Sequence, residues 1–193
     1  MNTNQTKWYL DQAHCDIAFS VRHLMISHVK GNFKTFDASI ITVDKDFTSA
    51  QIDLWINTAS VNTGDEKRDA HLRSAEFFDV ANHEQISFIS NTIGQIDEHG
   101  MHEIWGDLSM KGIAKNIKLM AKFGGVINDP WSNERAGFTI SGSIHRKDWG
   151  LVWNDAMEFG SIVVGEDIDI LCNLEMKIET KIDAEMVLDE SIV

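Results

Sequence analysis

Apolar side chains recur at every second position through most of this chain, and a period of two is the signature of strands that bury one face of a sheet. Between 136 and 145, Phe138, Ile140 and Ile144 share one parity with Gly142, while Thr139, Ser141, Ser143 and His145 hold the other. Ile117, Leu119, Ala121 and Phe123 oppose Asn116, Lys118, Met120 and Lys122 in the same way, and Ile52, Leu54 and Ile56 oppose Gln51, Asp53, Trp55 and Asn57. Ile168, Ile170, Cys172, Leu174, Met176 and Ile178 alternate with polar residues near the C-terminus, broken only by Leu171. Near the N-terminus, Cys15, Ile17, Phe19 and Val21 lie opposite His14, Asp16, Ser20 and Arg22. Turn signals such as Glu98-His99-Gly100, Lys111-Gly112 and Asn128-Asp129-Pro130 separate the runs. About eight or nine strands result, too closely spaced for crossover helices, so they pair antiparallel.

Two stretches depart from the alternation. Residues 65–74 carry good helix formers after Thr63-Gly64 and predict a short helix on a strand connection. Residues 148–165 carry Trp149, Trp153 and Phe159, too aromatic for a solvated loop. Both are expected to cover an open end of the β structure. Long antiparallel strands with one apolar face must stack on a second sheet or close on themselves, and closure removes exposed edges. Strands of about ten residues favour a deep barrel. The expectation is an all-β chain: one extended, eight-stranded antiparallel barrel over 1–180, with a short helix covering one end and an acidic tail over 181–193.

Charge narrows the partners. Acidic residues number 30 against 17 basic ones, a formal net charge of −13. Nucleic acid is excluded as a partner, because binding it requires Lys and Arg to neutralise phosphates. An anionic bilayer would be repelled at long range, and no apolar run of about 18 residues occurs, so stable membrane insertion is not expected. The first residues hold no apolar signal segment, so the chain is expected in the cytoplasm. Cys15 and Cys172 fall on the inward lattice and read as reduced core thiols. The usual nucleophile-elbow, phosphate-loop, dinucleotide and zinc-helix motifs do not occur. The histidine pairs His23/His28 and His99/His102 are not spaced to put two imidazoles on one face, so neither a metal nor a cofactor is expected. A homodimer is compatible with the sequence.

The segment from Trp8 to His23, with Gly31-Asn32-Phe33-Lys34-Thr35-Phe36 after it, resembles the opening signature of the YceI-like family of lipid-binding proteins. His71-Leu72-Arg73-Ser74 leading to Phe77-Phe78-Asp79-Val80, and the run from Gly106 to Gly112, fit the same family. So do Ile144-His145-Arg146-Lys147-Asp148-Trp149-Gly150 and Val164-Gly165-Glu166-Asp167-Ile168. The resemblance implies a lipocalin-like barrel with a helical segment over one end and a long amphiphile in its pore: a polyisoprenoid, such as a polyprenyl pyrophosphate or quinone, or a fatty amide. Family members commonly carry a secretion signal, which this sequence lacks. Cys15 stands where the family usually has Ser, and Asn82-His83-Glu84 replaces a Pro-containing turn.

Parity and the resemblance together put Phe19, Val21, Phe33, Phe138 and Ile140 on a tunnel wall, with Phe36, Phe88 and Leu108 on the same lattice. Phe77 and Phe78, directly after the helical connector, are expected to gate one mouth, with Trp153 and Phe159 lining the tunnel as well. The groups available to a polar head are Arg22 and His23, His71 and Arg73, and Arg146 with Trp149. The net charge argues for a neutral or weakly charged head. The expected activity is binding, carriage or storage of a long-chain amphiphile without catalysis. The alternative is an enzyme acting on an isoprenoid at the barrel mouth, for which Arg146 beside Asp148 is the one suggestive pair. A third reading is a solidly packed barrel that recruits a partner through its acidic surface.

Overall fold

The structure, a computed structural model, describes residues 4–154 and 163–178. The elements in chain order are β1 (Gln5–Leu10), β2 (Asp16–His23), β3 (Ser27–Phe33), β4 (Phe36–Val43), β5 (Asp46–Asn57), β6 (Val61–Asn62), α1 (Glu66–Arg73), β7 (Gln85–Ile96), β8 (Met101–Met110), β9 (Ile113–Asn128), β10 (Glu134–His145) and β11 (Val164–Ile178). Every pairing is antiparallel.

Eleven segments make eight staves, because three staves are each broken in two: β1 with β2, β3 with β4, and β5 with β6. The remaining five, β7 to β11, are continuous. The three breaks are stitched to one another. A 3₁₀ turn at Gln12–His14 separates β1 from β2, and the Gln12 amide donates to the Phe36 carbonyl at 3.0 Å. The N–H groups of Lys34 and Thr35, between β3 and β4, both donate to Ser60 Oγ, which sits in the turn between β5 and β6. Closure comes through β11: one edge pairs with β10, and the other pairs with β2 from Ile168 to Asn173 and with β1 from Met176 to Ile178.

The topology puts α1, the β2–β3 and β8–β9 turns and the segment after β10 at one end of the barrel, here the helix end. The β4–β5, β7–β8 and β9–β10 turns lie at the far end. The helix begins on Asp65, whose carboxylate accepts from the Arg68 N–H at 2.9 Å, and stops at Ser74, so it falls inside the expected 65–74. It is held to β6 by Asp69, a buried carboxylate that accepts from both the N–H and the hydroxyl of Thr63.

The strand parity read from sequence is the parity observed. In β4, Phe36, Ala38, Ile40 and Thr42 are buried and alternate with half-buried residues. Trp8 and Met176 are fully enclosed, and the Trp8 indole N–H donates to Thr42 Oγ1 at 3.2 Å, which satisfies both polar groups. Both thiols are free, and both lie in or against the core. Cys172 is buried on the inner face, with its thiol pushed up to about 12 by burial. Cys15 instead ends the 3₁₀ turn between β1 and β2, half-buried, where its sulfur meets the main chain of Glu175. A backbone turn interrupts the lattice there, and parity does not carry across it. Phe159 and the acidic tail lie outside the described residues.

Candidate functional site

The inward faces of the staves enclose a cavity of about 230 Å³. Its wall draws on every stave, from Ile17 and Phe19 on β2 to Leu174 and Met176 on β11. Among the described residues lining it, only His102 and Arg146 carry side-chain nitrogen. The wall is therefore almost wholly apolar, the surface that a hydrocarbon chain takes and a charged substrate does not.

Aromatic rings gather in two groups along it. Phe19, Phe33 and Phe78 form a chain with centroid separations of 5.7 and 5.8 Å, and Phe77 packs nearby against Trp153 and His71. Towards the far end, Phe47 touches Trp8, Phe123 and Phe138 with centroids 5.0 to 5.1 Å away. Two inward glycines let side chains sit deep in the wall. A Cβ on Gly142 would meet Leu119 Cδ2 at 2.5 Å, and one on Gly106 would meet the Phe88 ring at 2.4 Å and the Ile89 carbonyl at 2.5 Å.

The structure puts Phe19, Val21, Phe33, Phe77, Phe78, Phe88, Leu108, Phe138 and Ile140 on the cavity wall. Phe36 is buried beside the wall without lining it, and Trp153 lies behind Phe77 rather than on the wall. Phe36 shares the inward parity of Ala38 and Ile40 but sits at the break between β3 and β4, and Trp153 belongs to a segment without strand alternation.

The residues suggested for a polar head do not converge. Arg22 is exposed on the outer face of β2 while Val21 lines the cavity, and His23 is half-buried at the end of that strand. His71 pairs with Glu76 and is stacked edge-on against Phe77 and Trp153. Arg73 donates to the carbonyls of Ala59 and Val61. Arg146 alone reaches the wall, and it is fully buried, donating to the carbonyls of Gly165, Leu151 and Val164. Burial lowers its affinity for a proton, and Glu166 partly offsets this. Trp149 is buried with its N–H on the Leu108 carbonyl, off the wall. The suggested pair of Arg146 with Asp148 is not formed: the 3₁₀ turn Arg146–Trp149 turns Arg146 inward and leaves Asp148 exposed.

One group of metal-ligating side chains comes together among the described residues, Asp11, His14 and Glu175. It lies outside the cavity, and the Arg135 guanidinium donates to Asp11, Glu175 and Asp129. Those carboxylates are already engaged by an arginine.

Several wall residues escaped the sequence reading, Ile40, Ile86, Ile104, Phe47 and His102 among them. Phe47 precedes the clean alternation of β5, so nothing local marked it. His102 shares parity with Ile104 and Leu108, and that parity was the available signal.

The family model described as YceI-like domain matches residues 8–176. A UPF0312 protein of Staphylococcus epidermidis is 34% identical over 175 residues, covering 90% of this chain and 99% of its own. The crystal structure of a Campylobacter jejuni YCEI protein is 32% identical, covers 89% of this chain and 97% of its own, and superposes with a TM-score of 0.69. A domain from Saccharophagus degradans, described as polyisoprenoid binding, has the same fold at 15% identity and a TM-score of 0.65, over 89% of this chain and 98% of its own.

Proposed function

The chain belongs to the YceI-like domain family, and from that premise we propose that its barrel binds one long-chain amphiphile, a polyisoprenoid, isoprenoid quinone or fatty amide, and carries or stores it without chemical change. The observation that supports this most is the continuous apolar wall, in which only two of the described lining residues carry side-chain nitrogen. Burial at about 0.8 kcal/mol per methylene gives a chain of some twenty carbons ample gross affinity before ordering costs. A cavity of about 230 Å³ is below the roughly 300–1,000 Å³ of common ligand pockets, so a long chain must push the aromatic groups at its two ends aside. Those rings are the adjustable part of the wall.

Catalysis would need a base or nucleophile with an orienting partner facing the reacting atoms. Arg146 is engaged with three carbonyls and has no Asp148 beside it, which leaves the enzyme reading without its pair. The cationic groups at the helix end are scattered or committed, which favours a neutral head over a pyrophosphate.

Native mass spectrometry of freshly purified protein, followed by organic extraction, tests the reading. The expected result is a one-to-one adduct of a long-chain lipid, unchanged on recovery. Protein that carries none, and takes up no long-chain amphiphile offered to it, would overturn it.

A further inference from the structure

The β2–β3 turn at the helix end is closed by the Ile26 N–H, which donates to the His23 carbonyl at 3.2 Å. Its two central residues are left-handed, Leu24 at φ 50° and Met25 at φ 60°. The β4–β5 and β8–β9 turns take nearly the same angles, but with Asp44-Lys45 and Lys111-Gly112. Asn, Asp and Gly suit that conformation, whereas a bulky apolar residue in it is strained. Burial does not offset the strain here, because Met25 is 50% exposed and Ile26 is 86% exposed. The strain and the exposure together single out this turn as a functional element.

The tip is held in place. The Leu24 N–H donates to the Val163 carbonyl at 2.9 Å, and the Asn154 side chain bonds the main chain of Val163 and Val164. Val152, two residues before Asn154, is exposed as well. β6 pairs with β3 only at Asn32 and Phe33, so among the described residues Ser27–Gly31 has β2 as its one partner strand and the hairpin projects past its neighbour.

Charge distinguishes this tip from the others. Residues 17–36 contain no Asp or Glu. Arg22 faces His28 across the ladder, Lys30 follows on the same side, and all three are exposed. The carboxylates at the adjoining start of β11, Glu166 and Asp167, are taken up by Lys147 and His145. Those near α1, Asp65, Asp69 and Glu76, are taken up by the Arg68 N–H, Thr63 and His71. The exposed apolar residues of the far end, Ile96, Ile127 and Trp131, instead share their turns with Asp97, Glu98 and Asp129. The net charge of −13 belongs to the whole molecule. At physiological salt a charge acts over about 8 Å, so a surface touching the tip feels the groups at the tip.

We propose that the β2–β3 hairpin docks the barrel on an anionic lipid bilayer, with Met25 and Ile26 entering the interface and Arg22 and Lys30 meeting the lipid phosphates. A few side chains suffice for a bilayer, whereas a stable protein partner needs about 1,200 Å² or more of buried surface, beyond what a hairpin tip offers. Repulsion from the rest of the molecule favours this orientation, which sets the helix end, where Phe77 and Phe78 line the wall, against the membrane. The docking surface stands apart from the lipid-binding reading; joined to it, the bilayer becomes the place where the cavity exchanges its ligand.

The test is co-sedimentation of the full chain with vesicles of phosphatidylcholine, alone or mixed with phosphatidylglycerol. Wild type is expected on the mixed vesicles more than on the neutral ones. Met25→Gly/Ile26→Ser should lower its partitioning by about tenfold or more without lowering the melting temperature, since Gly suits the left-handed angle at 25. If that variant melts below wild type, Ile26→Ser alone carries the comparison. Arg22→Gln/Lys30→Gln should weaken binding to the mixed vesicles only, and the far-end pair Ile127→Ser/Trp131→Ser should change nothing. Wild type that stays in solution, binding indifferent to phosphatidylglycerol, or a tip variant that binds as well as wild type overturns the proposal. An equal loss in the far-end variant overturns it too, and a dimer without vesicles that the tip variant abolishes would give this surface to a second copy instead.

Discussion

The Nε–H of Arg146 donates to the main-chain carbonyl of Gly165 at 2.8 Å, joining the end of β10 to the start of β11. The same guanidinium also holds Leu151 and Val164. Its charge serves as a clamp on the backbone at the helix end.

Replacing Arg146 by Met keeps the volume and leaves those buried carbonyls without a donor. A loss of about 2–4 kcal/mol in unfolding free energy is expected. Arg146→Lys should recover little of it, because an ammonium cannot reproduce the planar fork. Urea denaturation of the three proteins checks this, and lipid affinity measured well below the midpoint should stay close to wild type.

Two of the inward glycines, Gly142 and Gly106, should separate lumen size from stability. In Gly142→Ala the new methyl meets only the end of Leu119, which can swing towards the cavity, so the cost is below about 1 kcal/mol while the longest chain accommodated shortens. In Gly106→Ala the methyl also meets the Ile89 carbonyl, which cannot swing away, and about 1–3 kcal/mol of stability should be lost. Chain-length profiles and thermal melts of both variants decide it; similar melting losses would show that Leu119 is as fixed as the backbone.

Phe77 and Phe78 are both buried and both on the wall beside α1. Trimming them to Leu is expected to cost under about 1.5 kcal/mol each and to speed release of a bound chain more than it lowers stability. Stopped-flow displacement gives the release rate, and an unchanged rate in the double variant would count against a gate at the helix end.

Acid should loosen the knot around Arg135. The Arg135 guanidinium holds the Asp11 carboxyl below its ordinary value, against a smaller desolvation effect. Burial would raise Asp129, yet Arg135, Asn133 and main-chain donors bring it far below. Depressed folded-state values mean that this stabilisation is present above the ordinary carboxylate range, near pH 4, and is lost as pH falls through the folded values. Arg135→Met should lower the urea midpoint at pH 7 and flatten its decline below about pH 4. An equally steep acid decline in the variant would locate the acid sensitivity elsewhere.

Much of the wall was legible in the chain. Phe138 and Ile140 on β10, Leu119 and Phe123 on β9, and Cys172 and Leu174 on β11 face the cavity because a strand's side chains alternate, and alternation needs only near neighbours to be read. The helix over 65–74 was visible for a similar local reason, since Asp65 caps within its own first turn. Outside the regular alternation, as at Trp153, local pattern no longer says which residues reach the wall.

The sequence by itself determined that the strands are one-sided, that their inner faces are apolar, and that they close antiparallel into a barrel. Tertiary structure alone decided which polar groups remain free. Arg146 finds its acceptors on Gly165, Arg73 on Ala59 and Val61, and His102 on Gly94, the last across a bulge that no residue pattern announced. Side-chain direction follows from a two-residue period along one strand. The engagement of a hydrogen-bonding group depends on backbone brought to it from another segment, and that is set only when the barrel has closed.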